Sequence, residues 1–189
     1  MRPEPTHRHA LVVGGTGMLT GATIALGERA TTVTAMARNV TRLKRLHAQV
    51  EAGGASYRPQ AVDYRDAEAL SHALSEVEAE HGPVDLVLGW FHDEESPRRL
   101  ASSLTGPVDV FHVLGSGAAG PGRDPRTDHD AIRELPGVSY FPIVLGFQVQ
   151  GGRSRWLTHD EIVAGCLEAL DARTPLHVVG TVTPWSARP

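Results

Sequence analysis

Lysine occurs once in the 189-residue chain, at Lys44, and cysteine once, at Cys166. The single cysteine excludes an internal disulfide and suits a reducing compartment. Positive charge therefore rests almost wholly on arginine. No hydrophobic run approaches the length of a membrane span, and the first nine residues hold no apolar stretch of signal-peptide length. Cytoplasmic residence with no membrane partner is the expectation. The net charge is −4, so a nucleic-acid groove is not expected either.

What is present is ordinary for a globular protein, with 41% hydrophobic and 21% charged residues. The length suits one α/β domain with a sizeable core. Residues 1–8 are polar and proline-bearing, and a loose N-terminal arm is expected there. Strands are predicted over about 9–13, 31–37, 56–62, 84–90, 108–114, 138–149 and 176–182. Helices are predicted over about 17–28, 39–52, 67–81, 94–104, 128–135 and 158–172. Asp66 caps the third of these, and Thr158 with Glu161 forms a capping box for the last. The Gly-, Pro- and Arg-rich run from Gly115 to Arg126 reads as a loop, and Gly151-Gly152 as a break. Strands alternating with helices predict a doubly wound Rossmann fold, with a mostly parallel sheet of about seven strands. A single domain over residues 1–189 accounts for the whole chain.

The most informative stretch is Val12-Val13-Gly14-Gly15-Thr16-Gly17-Met18-Leu19-Thr20-Gly21, a strand, a glycine turn and a helix start. Unpaired backbone N–H groups and the helix dipole suit such a turn to a pyrophosphate. Counted as G-x-G-x-x-G from Gly15, the third position is Thr20, with Gly21 one residue late. A helix approaching the first strand at Thr20 or Gly21 is expected. A P-loop is excluded, because no Lys-Ser or Lys-Thr follows. The alternative is a strand–helix turn with no ligand.

Ligands of doubly wound sheets lie outside the carboxyl ends of the strands. That places Gly14, Gly15, Thr16, Gly17, Met18 and Leu19 at the candidate cofactor site, together with Tyr64, Trp90, Gly115, Ser116, Gly146 and Phe147. The second strand ends in Arg38-Asn39, with Arg42 one helical turn on, where a carboxylate would mark a free ribose 2′-hydroxyl. Arginines there favour a 2′-phosphate, hence NADP(H). The bland alternative is a solvated basic edge. Asp63 is read equally as an acceptor for the adenine amino group and as a cap or turn residue.

Val12 to Gly17, Ala37-Arg38-Asn39, Val62-Asp63, Val84 to Leu88 and Leu114-Gly115-Ser116 together resemble, in order and spacing, the short-chain dehydrogenase/reductase superfamily. The resemblance covers residues 9–118 best and continues through Leu145-Gly146-Phe147, which looks like the family's Pro-Gly turn. It implies a Rossmann fold, a nicotinamide cofactor and oxidoreductase activity, and it sets Ser116 at the family's catalytic serine. The departures are equally definite. Gly89-Trp90-Phe91-His92 replaces the family's asparagine motif. The catalytic Tyr-x-x-x-Lys is missing, because Tyr57, Tyr64 and Tyr140 are followed four residues later by Ala61, Glu68 and Val144. The chain thus resembles a truncated, atypical member.

His92, at the end of the fourth strand, is a candidate proton donor, or else a structural histidine. With Ser116 it forms the candidate catalytic set, and Tyr140 is a further donor. His92-Asp93-Glu94-Glu95 and the Asp124 to Asp130 segment resemble ligand clusters but read as helix-start and loop residues, so no metal is expected. Arg153 and Arg155 read either as contacts to an anionic group or, with Trp156-Leu157, as part of a staple for the last helix. Cys166 reads as a small core residue. Two functions follow: an NADP(H)-dependent reductase of a small-molecule substrate, or a non-catalytic NADP(H)-binding sensor or regulator. The sequence leaves a homo-oligomer open.

Overall fold

The computed structural model describes residues 4–189. In chain order the first half comprises β1 (His7–Val13), α1 (Thr20–Leu26), β2 (Ala30–Ala37), α2 (Val40–Arg45), α3 (His47–Ala52), β3 (Ser56–Ala61), α4 (Ala67–His81) and β4 (Leu86–Trp90). The second half comprises α5 (Ser96–Ser103), β5 (Val108–Gly115), α6 (Asp130–Arg133), β6 (Val138–Leu145), β7 (Phe147–Gln150), β8 (Arg153–Trp156), α7 (His159–Ala172) and β9 (His177–Val179).

Residues 9–13 of β1 are all buried, which requires cover on both faces of a sheet. Ala10 and Val12 enter one core cluster and Leu11 and Val13 the other, following the two-residue period of a strand. Seven parallel strands result, in the order β3-β2-β1-β4-β5-β6-β9. Helices α1, α3 and α7 cover one face through Leu26, Val50 and Cys166; α4, α5 and α6 cover the other through Leu74, Leu100 and Ile132. This is a single doubly wound α/β domain. The strand order reverses between β1 and β4, and a crevice opens there at the carboxyl ends. No helix of the described residues is long and apolar enough to cross a membrane.

Several expected boundaries shift, each for a local reason. His7 and Arg8 belong to β1 rather than to a loose arm: His7 pairs with Ala30, and the Arg8 N–H donates to Asp85 Oδ2 at 2.8 Å. Residues 1–3 of that expected arm lie outside the described residues. The helix predicted from 17 starts at Thr20, because Gly17 N–H turns back to the Gly14 carbonyl. The helix predicted over 39–52 is two helices. Leu46 N–H bonds the Leu43 carbonyl three residues back, and this tighter turn brings Leu43, Leu46 and Val50 all into the core. The strand predicted over 138–149 divides at Gly146, where a side chain would run into the Thr181 carbonyl. Its second part, β7, folds back on β8 as an antiparallel hairpin. Gly151 and Gly152, at φ 58° and 75°, form the two-residue turn that this hairpin needs.

Candidate functional site

The turn from Gly14 to Leu19 sits at the mouth of the crevice. Gly14 adopts φ +80°, which lets the chain leave β1 sharply while its N–H still donates to the Met36 carbonyl. A Cβ at Gly15 would lie 2.7 Å from Thr23 Oγ1, so Gly15 marks where α1 closes on the end of β1. Gly21, one of the two residues expected at that contact, faces elsewhere: its Cβ would meet the Val163 side chain of α7. A Cβ at Gly17 would have no atom closer than 3.8 Å and would project into the cradle of the turn. Among the described residues, the N–H groups of Thr16 and Met18 have no acceptor.

A cleft of about 380 Å³ runs from this turn across the ends of β2, β3 and β4. Gly14, Thr16, Gly17 and Met18 form one wall, and Arg38, Asn39 and Arg42 another. Asp63, Tyr64 and Arg65 come from the end of β3, and Trp90 and His92 from β4 and the segment after it. Asn39 caps α2, its Oδ1 accepting the Arg42 N–H at 2.9 Å, so the cap sets where Arg42 begins. The Arg38 side chain is 71% exposed, and its guanidinium reaches Asp63 Oδ2 only at 4.0 Å. Asp63 is instead engaged by Arg65, which donates from Nε at 3.0 Å and Nη2 at 2.7 Å. These bonds hold the Asp63 carboxyl down at about 2. Asp63 thus fixes Arg65 beside the cleft, as a turn residue does, while itself lining that cleft.

A second cleft of about 430 Å³ adjoins the first and shares Met18 and Trp90 with it. Gly115 and Ser116, at the end of β5, form its floor with Gly146. Ser116 is only 5% exposed, and its hydroxyl accepts a hydrogen bond from Arg188 Nε at 2.9 Å. The Arg188 guanidinium lies over the Trp156 ring at 4.9 Å and the Trp185 ring at 5.3 Å. Leu145, Leu157 and Ile162 supply apolar wall.

Other expected residues fall outside these clefts. Leu19 and Phe147 are fully buried, Leu19 in the core and Phe147 with its backbone paired to Thr181. Their side chains line neither cleft, because the turn and the β6–β7 bend direct them inward. His92 and Ser116 line different clefts: His92 is exposed on the first, and its backbone N–H donates to Tyr64 Oη at 3.0 Å. Tyr140 lies buried in β6, hydrogen-bonded to His112 Nδ1 at 2.8 Å, which removes it as a donor to the site. Asp93 accepts the N–H groups of Glu95 and Ser96 at the start of α5. Arg155 pairs with Glu161 at 2.8 and 2.9 Å, bracing the capping box. Trp156 and Leu157 both line the second cleft, and Leu157 also packs on the core. Cys166 is buried, and burial pushes its thiol up to about 12. Arg65 and Arg188 were not among the expected residues. Arg65 carries a local signal, two residues after Asp63; Arg188 meets Ser116 across 72 residues, which no short pattern shows.

No family model matches the chain, and no curated protein matches it. Solved structures do match. A metagenomic short-chain oxidoreductase in complex with NADP superposes at a TM-score of 0.68 and 17% identity, over 92% of this chain and 96% of its own. An alcohol dehydrogenase from the archaeon Thermococcus sibiricus, complexed with 5-hydroxy-NADP, gives 0.69 and 18%, over 93% and 96%. An NAD+-bound xylitol dehydrogenase gives 0.62 and 14%, over 76% and 72%. The chain has the fold of the short-chain dehydrogenase/reductases.

Proposed function

We propose that the protein binds NADP(H) across the two clefts and acts as an oxidoreductase on a small molecule. One observation carries this reading: Arg38, just after β2, and Arg42, in the first turn of α2, line the same cleft as the glycine turn, where an NAD site would present a carboxylate. The residues fit the group. A Cβ at Gly17 would meet nothing closer than 3.8 Å, the adjoining N–H groups have no acceptor among the described residues, and the two arginines suit a 2′-phosphate. Structural likeness to proteins holding NADP supports the same choice, although one likeness holds NAD.

The dinucleotide supplies hydride chemistry at its nicotinamide ring. In this reading Ser116 acts on a substrate oxygen. Because its oxygen accepts from Arg188 Nε, its own O–H is free to donate into the second cleft. A second reading, a non-catalytic NADP(H)-binding sensor, is favoured by a different observation. Among the described residues no tyrosine or lysine lines the second cleft, so the general acid and lysine of the resembled family have no counterpart there.

Oxidation of NADPH with carbonyl, imine, quinone and flavin acceptors separates the two. The enzyme reading expects turnover with at least one acceptor class, falling about tenfold or more in Ser116→Ala with NADPH affinity kept. NADPH binding with no turnover for any acceptor supports the sensor instead.

A further inference from the structure

The second cleft has an unusual charge content. Of its lining residues only Arg188 is charged, and no carboxylate faces it. The nearest acid along the chain, Glu161, is taken by both terminal nitrogens of Arg155. Arg188 itself has no ion pair among the described residues. Its Nε is committed to Ser116, while Nη1 and Nη2 have no acceptor among those residues. Two tryptophan rings lie against the guanidinium, at 4.9 and 5.3 Å, and restrict it at the cleft edge. Trp185 is itself seated on Gly120, where its ring comes within 3.3 Å of the position a Cβ would take. A guanidinium with one edge anchored and the other open is pre-organised for a planar two-oxygen acceptor. The remaining walls, Leu145, Leu157 and Ile162 with the Trp156 face, are apolar.

We propose that this cleft selects a small monocarboxylate with an apolar or aromatic body, its carboxylate held by Arg188. Leu145, Leu157, Ile162 and Trp156 pack the body, and Ser116 meets a polar group carried beside the acid. This names the substrate class of the oxidoreductase proposed above and rests on that reading. It also moves the anion-binding role from Arg153 and Arg155, where sequence placed one candidate, to Arg188.

The test uses phenylacetate and its neutral isostere phenylacetamide, titrated calorimetrically into the full chain, with NADPH titrated separately. The expected result is about tenfold or greater preference for the acid, lost in Arg188→Gln and partly kept in Arg188→Lys. Circular dichroism of each variant confirms that it is folded. Equal affinity for acid and amide, a preference that survives Arg188→Gln, or no binding of either overturns the proposal. Tighter binding of both ligands to Arg188→Gln also overturns it, because Arg188 would then be a plug. A loss confined to NADPH in Arg188→Gln would overturn it too, assigning the arginine to the dinucleotide phosphates. Failure of wild-type NADPH binding, with the acid preference intact, would instead reject the cofactor reading alone.

Discussion

His112 is buried beside Phe91, His129 and Tyr140, and burial, with His129 as a lesser cause, pushes its basicity down to about 3. Its unfolded value is near 6.5, so between these two pH values the unfolded chain holds a proton that the native protein does not. Stability from this group is full above the unfolded value and is lost as pH falls towards about 3. His9, also depressed by burial and bonded to Thr34 Oγ1 at 2.8 Å, acts in the same direction. Urea unfolding at pH 7 and pH 5 should show a fall to which His112 contributes about 2 kcal/mol. In His112→Gln that fall should shrink; an unchanged fall would show that His112 is not held neutral. Ser116 sits at the same scale. Among the described residues its hydroxyl is hydrogen-bonded to Arg188 alone, so Ser116→Ala should leave stability within about 1 kcal/mol while lowering any turnover.

Short motifs matter at the scale of elements. Thr158 accepts the Glu161 N–H, while Glu161 accepts the Thr158 N–H at 2.8 Å and the Arg155 guanidinium. Thr158→Ala should therefore cost about 1 kcal/mol of stability in thermal or urea unfolding. Glu161→Ala should cost more than Thr158→Ala, because it also frees Arg155 and loosens β8 beneath Trp156. Equal costs would show that Arg155 adds nothing. Gly15→Ala tests the glycine turn: its Cβ would press on the buried Thr23 hydroxyl, which donates to the Leu19 carbonyl at 2.9 Å. A loss of about 1–3 kcal/mol is expected, as in overpacking generally.

These elements also show how far local sequence reaches. The bounds of α4 were legible because Asp66 caps one end and Gly82, at φ 83°, stops the other. The capping box of α7 was legible for the same reason. The break at Leu46 was not, because burial of Leu43, Leu46 and Val50 on one face outweighs helix continuity. Nor was the bend at Gly146, which is dictated by Thr181 thirty-five residues away. The β7–β8 hairpin did carry a signal, since Gly151-Gly152 is a hairpin turn as well as a break.

Over the whole molecule, the reversal of strand order between β1 and β4 produces the crevice, and side chains from six strand ends divide it. One half is arginine-rich and floored by the glycine turn. The other is apolar, with one cation and one buried hydroxyl. The first half was readable in the sequence, because each strand end contributes a contiguous motif. The second was only half readable, since Ser116 was visible but its partner arrives from the far end of the chain.

In the proposed function, Arg38 and Arg42 make the first cleft a 2′-phosphate site. The most direct measurement is a calorimetric titration of NADPH and NADH into the wild-type chain and Arg38→Ala. The wild type should prefer NADPH, and Arg38→Ala should weaken NADPH about tenfold or more while changing NADH little. Equal losses for both dinucleotides, or no loss for either, would contradict it.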